Sequence, residues 1–387
     1  MNVAKKLIAP LSVLTPRCFA IARFAITRFA ITRLAITRLA FAAIVLFCAA
    51  AANGELLFIS DQTIQSHAAE LKTRIAQRDS QGYLVPSQQQ RADFRSLANE
   101  LWNASSIADL QGLTSDAEAI GYDVLSLTAG DDTYFGLQES NTIAQPKGWG
   151  SFLLRQGAAG NALIEVAHPL ADINTLEISA QAFADSDSRG FLIAGAHRNA
   201  NGQDTADVAH LDESIFQEVH QSFAENAAEV SVWQIHGFDI DIHPELPNYS
   251  DAIVSAGTGD VTEILLGLDQ RIDDLEGDWD SFSFNTLDVD DPLNVATNGD
   301  IAGNTFSSLA ATTNIQQLHT TSIGGQFVHI ELEQSFRIDG GESARQLIAQ
   351  TIADSISSST NAIPEPGSFV FVGLLSGISS LRRRRSQ

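Results

Sequence analysis

The sequence predicts an α/β protein in three layers, with a mostly parallel (mixed) sheet flanked by helices and a smaller N-terminal helical region. Short apolar runs typical of buried strands recur along the body of the chain, at residues 162–167, 191–196, 230–235, 251–255 and 327–333. Helical periodicity fills the gaps between them, at residues 175–184, 207–224, 260–274 and 341–356. Strands that alternate with helices require crossover connections, and such connections build parallel sheets covered on both faces.

We place the main α/β domain at residues 149–356 and a smaller α+β region at residues 53–148. In the smaller region, apolar residues recur at three- and four-residue spacings over 61–78 and 87–103, as in amphipathic helices. A Gly-Asp-Asp-Thr turn then separates two short predicted strands. This region carries no constellation of reactive side chains, and we interpret His67 as a surface residue.

The first 52 residues have the pattern of a secretory signal peptide. Basic residues recur up to Arg38, an apolar run follows over 39–52, and this run ends in three alanines. We therefore expect export through the Sec machinery; an amphipathic membrane segment is the alternative. Both cysteines, Cys18 and Cys48, lie in this leader, so the rest of the chain offers neither a disulfide nor a thiolate.

The C-terminal end, residues 364–387, carries three features in order. A Pro-Glu-Pro motif at 364–366 is followed by an apolar stretch over 369–381 and by four arginines at 382–385. This order resembles the PEP-C-terminal sorting signal of exported bacterial proteins. The resemblance implies an exosortase-type sorting enzyme as partner, transient membrane anchoring through the C-terminus, and a final location that is extracellular or at the cell surface. An ordinary C-terminal membrane anchor is the alternative, and residues 357–363 are predicted to be a linker.

The charge of the chain argues against nucleic acid as a partner. The 387 residues include 23 Lys and Arg against 47 Asp and Glu, which gives a formal net charge of −24. Eleven of the basic residues lie in the two terminal segments, so the region between them is more acidic still. A surface of this sign repels phosphate backbones and anionic membranes.

Two predicted strands end on histidine, and these histidines are the main functional signal. His168 follows the run 162–167 and His236 follows the run 230–235. The carboxyl ends of parallel strands form the edge of the sheet at which ligands bind. A catalytic zinc site uses about three protein ligands and keeps one position open. We therefore predict a Zn²⁺ site with His168 and His236 as ligands.

The third ligand has two candidates. Glu177 stands in the first turn of the helix predicted after His168, where a carboxylate also suits the helix dipole. Asp172 follows His168 by four residues and is the alternative. The strand 191–196 ends on His197 and Arg198, which we interpret as substrate-binding groups.

The last predicted strand supplies the candidates for a general base. His329, Glu331 and Glu333 alternate along it and therefore share one face. Three ionisable groups in line are costly to bury without partners, which favours a functional cavity on that face. A glutamate beside a bound ion can take a proton from the attacking water. We assign this role to Glu331, with Glu333 as the alternative.

A strand ending in His, a Glu that opens the next helix, a strand ending in Ile-His and a late strand with Glu resemble features of known zinc hydrolases. They resemble zinc-dependent N-acetylmuramoyl-L-alanine amidases and carboxypeptidase-like hydrolases, including poly-γ-glutamate hydrolases, over residues 150–356. The resemblance implies His168, Glu177 and His236 as zinc ligands and Glu331 as base. It also implies Arg337, six residues after Glu331, as a partner for a substrate carboxylate. The His-x-x-Glu of carboxypeptidases is absent, because Ala171 occupies its final position.

The expected function is therefore that of an exported, surface-sorted, zinc-dependent amide hydrolase. Its substrate would be peptidoglycan, poly-γ-glutamate or a related peptide polymer. A non-catalytic extracellular matrix or surface protein is the alternative. A serine esterase is poorly supported, because the chain has no Gly-x-Ser-x-Gly motif.

Overall fold

A computed structural model describes residues 56–142, 146–158, 160–243, 250–275, 294–297, 309–339 and 341–361. The predicted signal peptide and the predicted sorting signal lie outside these residues, so their assignments stay predictions. The chain divides into two units, Met1–Asn53 and Gly54–Gln387. Within the described residues, none of the helices combines the length and the apolar character needed to cross a membrane.

Ten strands of the described chain form one mixed sheet, which confirms the predicted α/β class. They are β1 (Leu56–Ile59), β2 (Tyr122–Ala129), β3 (Asp132–Glu139), β4 (Ser151–Arg155), β5 (Ala162–Val166), β6 (Gly190–Ile193), β7 (Ser231–Gly237), β8 (Ser250–Ser255), β9 (Asn294–Thr297) and β10 (Gln326–Leu332). Their order is β1-β2-β3-β4-β6-β5-β7-β10-β8-β9. The centre of the sheet, β6-β5-β7-β10, is parallel, as the apolar runs and their crossover helices predict.

Eight helices of the described chain cover the two faces of the sheet. They are α1 (Ile64–Lys72), α2 (Gln88–Asn103), α3 (Ile107–Ala119), α4 (Thr175–Asp185), α5 (Ile215–Asn226), α6 (Glu263–Asp273), α7 (Ile315–Ser322) and α8 (Gly341–Asn361). One apolar core lies under α1, α4, α6 and α8, and a second lies on the opposite face under α2, α3 and α5. The three-layer arrangement follows from the apolar stripe that each helix buries.

The structure joins the two predicted regions in one sheet. The boundary placed at residue 149 falls between β3 and β4, and these two strands pair with each other in antiparallel fashion. β4 in turn pairs with β6, so the N-terminal strands extend the sheet of the main domain. A sequence pattern reports local periodicity, and it does not report such pairing between distant strands.

Three local predictions need correction. α5 begins at Ile215 rather than at residue 207, because Ser214 caps it by accepting a hydrogen bond from the Gln217 amide. The linker predicted from residue 357 is helical as far as Asn361, and serine hydroxyls of α8 donate to its carbonyls four residues earlier. His67 is 2% exposed on the inner face of α1, and is therefore not a surface residue.

Candidate metal centre

Three adjacent parallel strands bring the predicted site residues to one edge of the sheet. β5 leads into His168, β7 carries His236 near its end, and β10 carries Glu331. In the β7–β10 pairing, Glu331 lies opposite His236. This edge is formed by the carboxyl ends of the strands, which is where the sequence predicts the site.

His168, His236 and Asp172 form a closed triangle of ligand atoms. The two Nδ1 atoms lie 3.1 Å apart, and Asp172 Oδ2 lies 3.2 Å from each of them. All three residues are buried, at 9% exposure or less. A tetrahedral zinc ion with bonds of about 2.0 Å separates its ligand atoms by about 3.3 Å, so these spacings match the edges of such a site.

The other ring nitrogens of the two histidines are held by acceptors. His168 Nε2 lies 2.7 Å from Asp207 Oδ1, and His236 Nε2 lies 2.8 Å from Gln234 Oε1. A neutral imidazole that donates from Nε2 presents a lone pair at Nδ1. Two lone pairs that face each other at 3.1 Å repel unless a proton or a metal ion lies between them. The donor set therefore fits a divalent ion such as zinc, with outer partners of the kind that metal-bound histidines use.

The charges of this centre favour a positive group in its middle. Burial alone would lower the pKa of His168, but the carboxylates of Asp172 and Asp207 outweigh it and raise that pKa to about 9. Burial acts on the two carboxylates as well, yet the His168 imidazole holds the pKa of each well below its usual range. Burial lowers the pKa of His236. A proton or a metal ion therefore occupies the centre favourably.

Glu331 and His329 form the wall of the site beside His236. Burial and the nearby charge of Asp172 raise the pKa of Glu331 well above its usual range. Burial and the neighbouring His236 ring lower the pKa of His329 well below its usual range. His329 Nε2 lies 3.5 Å from Glu331 Oε1, and His329 Nδ1 is buried without a hydrogen-bond partner. With His236 these two residues make a second group of potential ligand atoms.

Glu177 does not join the metal centre, which corrects the assignment of the third ligand. Its carboxylate is 40% exposed and forms an ion pair of 2.5 Å with Lys72 of α1. Asp172 takes the third position because the chain makes one helical turn after His168, with the Asp172 amide donating to the His168 carbonyl at 3.0 Å. Residues four apart on such a turn lie side by side.

The Arg337 guanidinium forms hydrogen bonds within the protein that the sequence did not predict. Its guanidinium donates to three backbone carbonyls, those of Leu332, Ile173 and Phe238, at 2.9, 2.8 and 2.7 Å. It is 4% exposed, and these bonds occupy it as a brace within the protein. Each carbonyl belongs to a residue one or two positions after Glu331, Asp172 or His236. Arg337 thus ties the three site segments together; because it also lines the cavity, the carboxylate-binding role implied by the resemblance stays a prediction.

Gly237 lies directly against this brace. A Cβ atom at this position would come within 2.3 Å of Arg337 Cζ. Real Cβ atoms do not approach another atom so closely, so the guanidinium would have to move. The glycine after His236 therefore leaves room for the Arg337 guanidinium.

The two residues predicted to bind substrate separate in the structure. Arg198 lines the cavity above the metal centre and pairs with Asp204 and Asp207. His197 does not line that cavity. β6 ends at Ile193, and the following chain instead hydrogen-bonds with Ala76, whose carbonyl accepts from the His197 amide at 2.8 Å. The substrate-binding role of His197 is therefore not supported.

A cavity of 710 Å³ opens onto the metal centre. His168, Asp172 and His236 lie among its polar lining residues, with Glu331 and His329. Apolar side chains complete the wall, including Ile173, Phe238, Ile242, Leu309 and Ile338. Its size suits a substrate of several residues, with an apolar wall and a few converging polar groups.

Sequence reasoning missed several residues of the site. Asp207 lies in a loop 39 positions from His168, and nothing in its local pattern points to the metal centre. Gln234 had a usable signal, because it stands two residues before His236 and therefore on the same face of β7. His329 was recognised as part of a functional face, but no role was assigned to it.

Comparisons with known proteins give a limited likeness. No model of a protein family matches the chain, and no curated protein matches it in sequence. Among solved structures, it is similar to a metallo-carboxypeptidase from Pseudomonas aeruginosa, with 13% identity and a TM-score of 0.32, covering 55% of this chain and 61% of that one. A metallo-carboxypeptidase from Burkholderia cenocepacia gives 11% identity and a TM-score of 0.35, with 71% and 70% covered.

The chain thus spans less than two thirds of the length of the Pseudomonas aeruginosa protein. Likenesses with such low identities and TM-scores establish neither a family nor a function for this chain.

Proposed function

We propose that this protein is a zinc-dependent amide hydrolase that acts on peptidoglycan, poly-γ-glutamate or a related peptide polymer. The observation that carries the proposal is the triangle of His168 Nδ1, His236 Nδ1 and Asp172 Oδ2, with sides of 3.1 to 3.2 Å. Both imidazoles have their second nitrogen held by an acceptor, as ligands of a structural or catalytic ion do.

The three residues of the triangle would hold the ion. Zinc with three protein ligands and an open position supplies a Lewis acid for the scissile carbonyl and lowers the pKa of water. The three residues line the cavity together with Glu331 and His329. Asp207 and Gln234 keep the two histidines oriented from behind.

Glu331 supplies the proton transfers. Burial and the charge of Asp172 raise the pKa of Glu331 above the usual carboxyl range, the direction in which enzymes tune a glutamate that acts as a general base. It takes a proton from the attacking water and gives it to the nitrogen of the leaving amine. His329 stays neutral and can form a hydrogen bond to the substrate oxygen, which stabilises the developing negative charge.

Export and surface sorting belong to the same proposal. The basic and apolar leader supports export through the Sec machinery. The Pro-Glu-Pro motif, apolar stretch and arginine cluster support recognition by an exosortase-type enzyme and transient membrane anchoring. A polymer outside the cell is the substrate that such a location would offer.

The test is the zinc content of the purified full-length chain and of two carboxylate variants. We expect about one zinc per chain in the wild type, because the triangle matches one tetrahedral ion. Asp172→Asn should lose the metal, since it removes a ligand charge. Glu177→Gln is the matched control and should keep it, because Glu177 pairs with Lys72 at the surface.

Zinc retained in Asp172→Asn, or no zinc in the wild type after reconstitution, would contradict the metal centre. The non-catalytic surface protein would then be favoured. If zinc behaves as expected, release of amines from peptidoglycan fragments and from poly-γ-glutamate identifies the substrate.

A further inference from the structure

Behind His236 lies a buried amide whose hydrogen bonds are all satisfied. Gln234 Oε1 accepts from His236 at 2.8 Å and from Asn314 Nδ2. Gln234 Nε2 donates to Glu165 Oε2 at 3.0 Å and to Gln316 Oε1 at 3.2 Å. The side chains of Gln234, Glu165 and Gln316 are fully buried. No donor or acceptor position of the Gln234 amide is left for another partner.

One backbone carbonyl fixes the direction of this network. Gln316 donates from Nε2 to the Val208 carbonyl at 3.1 Å, and a carbonyl can only accept. The amide nitrogen of Gln316 must therefore face Val208, and its oxygen must face Gln234. Gln234 then presents its nitrogen to Gln316 and its oxygen to His236.

One backbone amide fixes the same direction independently. The Gln317 N–H donates to Asn314 Oδ1 at 3.0 Å, which caps the N-terminus of α7. Because the oxygen of Asn314 accepts there, its nitrogen is the atom turned toward Gln234. That nitrogen needs an acceptor, so again the oxygen of Gln234 faces Asn314 and His236.

We infer that Gln234, Asn314 and Gln316 are positioning residues that fix the tautomer of His236. The Gln234 oxygen requires a hydrogen on His236 Nε2, which leaves the lone pair on Nδ1, facing Asp172 and His168. The reversed tautomer would place a hydrogen where the metal has to bind. This inference rests on the proposed metal centre. It adds residues that affect metal affinity without contacting the ion.

The cap of α7 is thereby coupled to the metal centre. The same Asn314 side chain holds the first turn of the helix and orients the amide behind the ligand. Exchange of Asn314 for aspartate separates these two tasks. An aspartate still accepts from the Gln317 amide, but it offers Gln234 an acceptor in place of a donor.

Zinc affinity of the full-length chain, measured by competition with a chelator, tests the inference. Gln234→Met removes the acceptor of His236 at nearly unchanged volume, and Asn314→Asp places an acceptor instead of a donor against the Gln234 oxygen that holds His236. We expect each to weaken zinc binding by about 10- to 100-fold, the usual effect of losing an outer partner of a metal ligand.

Gln217→Met is the matched control. Gln217 is 2% exposed and accepts from Gln316 Nε2 at 2.8 Å, but the Val208 carbonyl still fixes the direction of Gln316 without it. Its zinc affinity should stay within about threefold of the wild type, although it too loses a buried hydrogen bond. Equal affinities for the wild type, Gln234→Met and Asn314→Asp would overturn the inference.

The tautomer itself can be observed without metal. In the ¹⁵N-histidine-labelled full-length apoprotein, the His236 signals, assigned with His236→Ala, should report a hydrogen on Nε2 in the wild type and in Gln217→Met. A hydrogen on Nδ1 alone would overturn the inference. The Nε2–H form in a protein that binds no zinc would support the inference and refute the proposed metal centre, so the two failures are distinguishable.

Discussion

At the scale of single residues, the outcome at Asp172 and Glu177 shows what spacing can and cannot predict. His168 and His236 were predicted from strands that end on histidine, and the structure brings their Nδ1 atoms to 3.1 Å. The third ligand depended on whether the chain turns at once after His168 or only at the following helix. That turn is fixed by backbone hydrogen bonds which the sequence does not report, so both carboxylates stayed candidates.

The choice between Glu331 and Glu333 as base gives a prediction at the same scale. Glu331 lines the cavity, whereas Glu333 accepts from the Ile240 amide at 3.4 Å and is absent from the cavity wall. Glu331→Gln should keep its zinc but lose amide hydrolysis by about 100- to 10,000-fold, because a general base is removed. Initial rates and zinc content of the same preparation measure both effects.

Glu333→Gln is the control for this substitution and should hydrolyse the substrate at close to the wild-type rate. Loss of zinc in Glu331→Gln would instead make Glu331 a metal ligand. That result would point to the group of His236, His329 and Glu331 as the place of the ion.

At the scale of elements, the strands were predicted more reliably than the helix ends. Apolar runs bounded by turns mark buried strands, and β5, β8 and β10 lie within about one residue of the predicted ranges, whereas β7 ends two residues later. Helix limits depend on caps such as Ser214 and on whether serines bond to their own helix, as in α8. These are side-chain choices that periodicity alone leaves open.

A buried histidine on the inner face of α1 makes the stability of the fold depend on pH. His67 is 2% exposed, neither of its ring nitrogens has a hydrogen-bond partner, and burial lowers its pKa from 6.5 to about 4. The unfolded chain therefore binds a proton that the folded chain does not between these two pH values. Stability rises with pH in this window, and it falls by about 3 kcal/mol as the pH drops from 6.5 to 4.

Urea unfolding at pH 7 and at pH 4.5 checks this expectation. His67→Met removes the titrating group and should lose clearly less stability between the two pH values than the wild type does. An equal pH dependence for His67→Met and the wild type would contradict this account of α1.

At the scale of the whole molecule, the fold class was predictable because alternation of strands and helices has few packed solutions. The extent of the sheet was not predictable. β4 pairs with β3 on one side and β6 on the other, and this joins the predicted N-terminal region to the main domain. Cross-strand pairing depends on contacts between distant residues, which one sequence does not reveal.

Metal removal gives a prediction for the whole fold. An ion that binds only the folded chain stabilises it by about 2.7 kcal/mol when its concentration is 100 times Kd. For a chain of this size that corresponds to a Tm difference of about 3 °C between zinc-loaded and chelator-treated protein. Calorimetry on the wild type measures it, and Asp172→Asn should show the same Tm with and without chelator. No shift in the wild type would argue against a bound ion.

The position of β10 in the sheet affects the order in which the strands around the site can pair. β10 lies between β7 and β8, although it is made last of the three. A nascent chain that ends before residue 326 already holds His168, Asp172 and His236, but it lacks the glutamate of the wall, and β7 is left with an unpaired edge. Pairing of β10 with β7 and β8 joins residues far apart in the chain, so we expect this closure of the sheet to be slow.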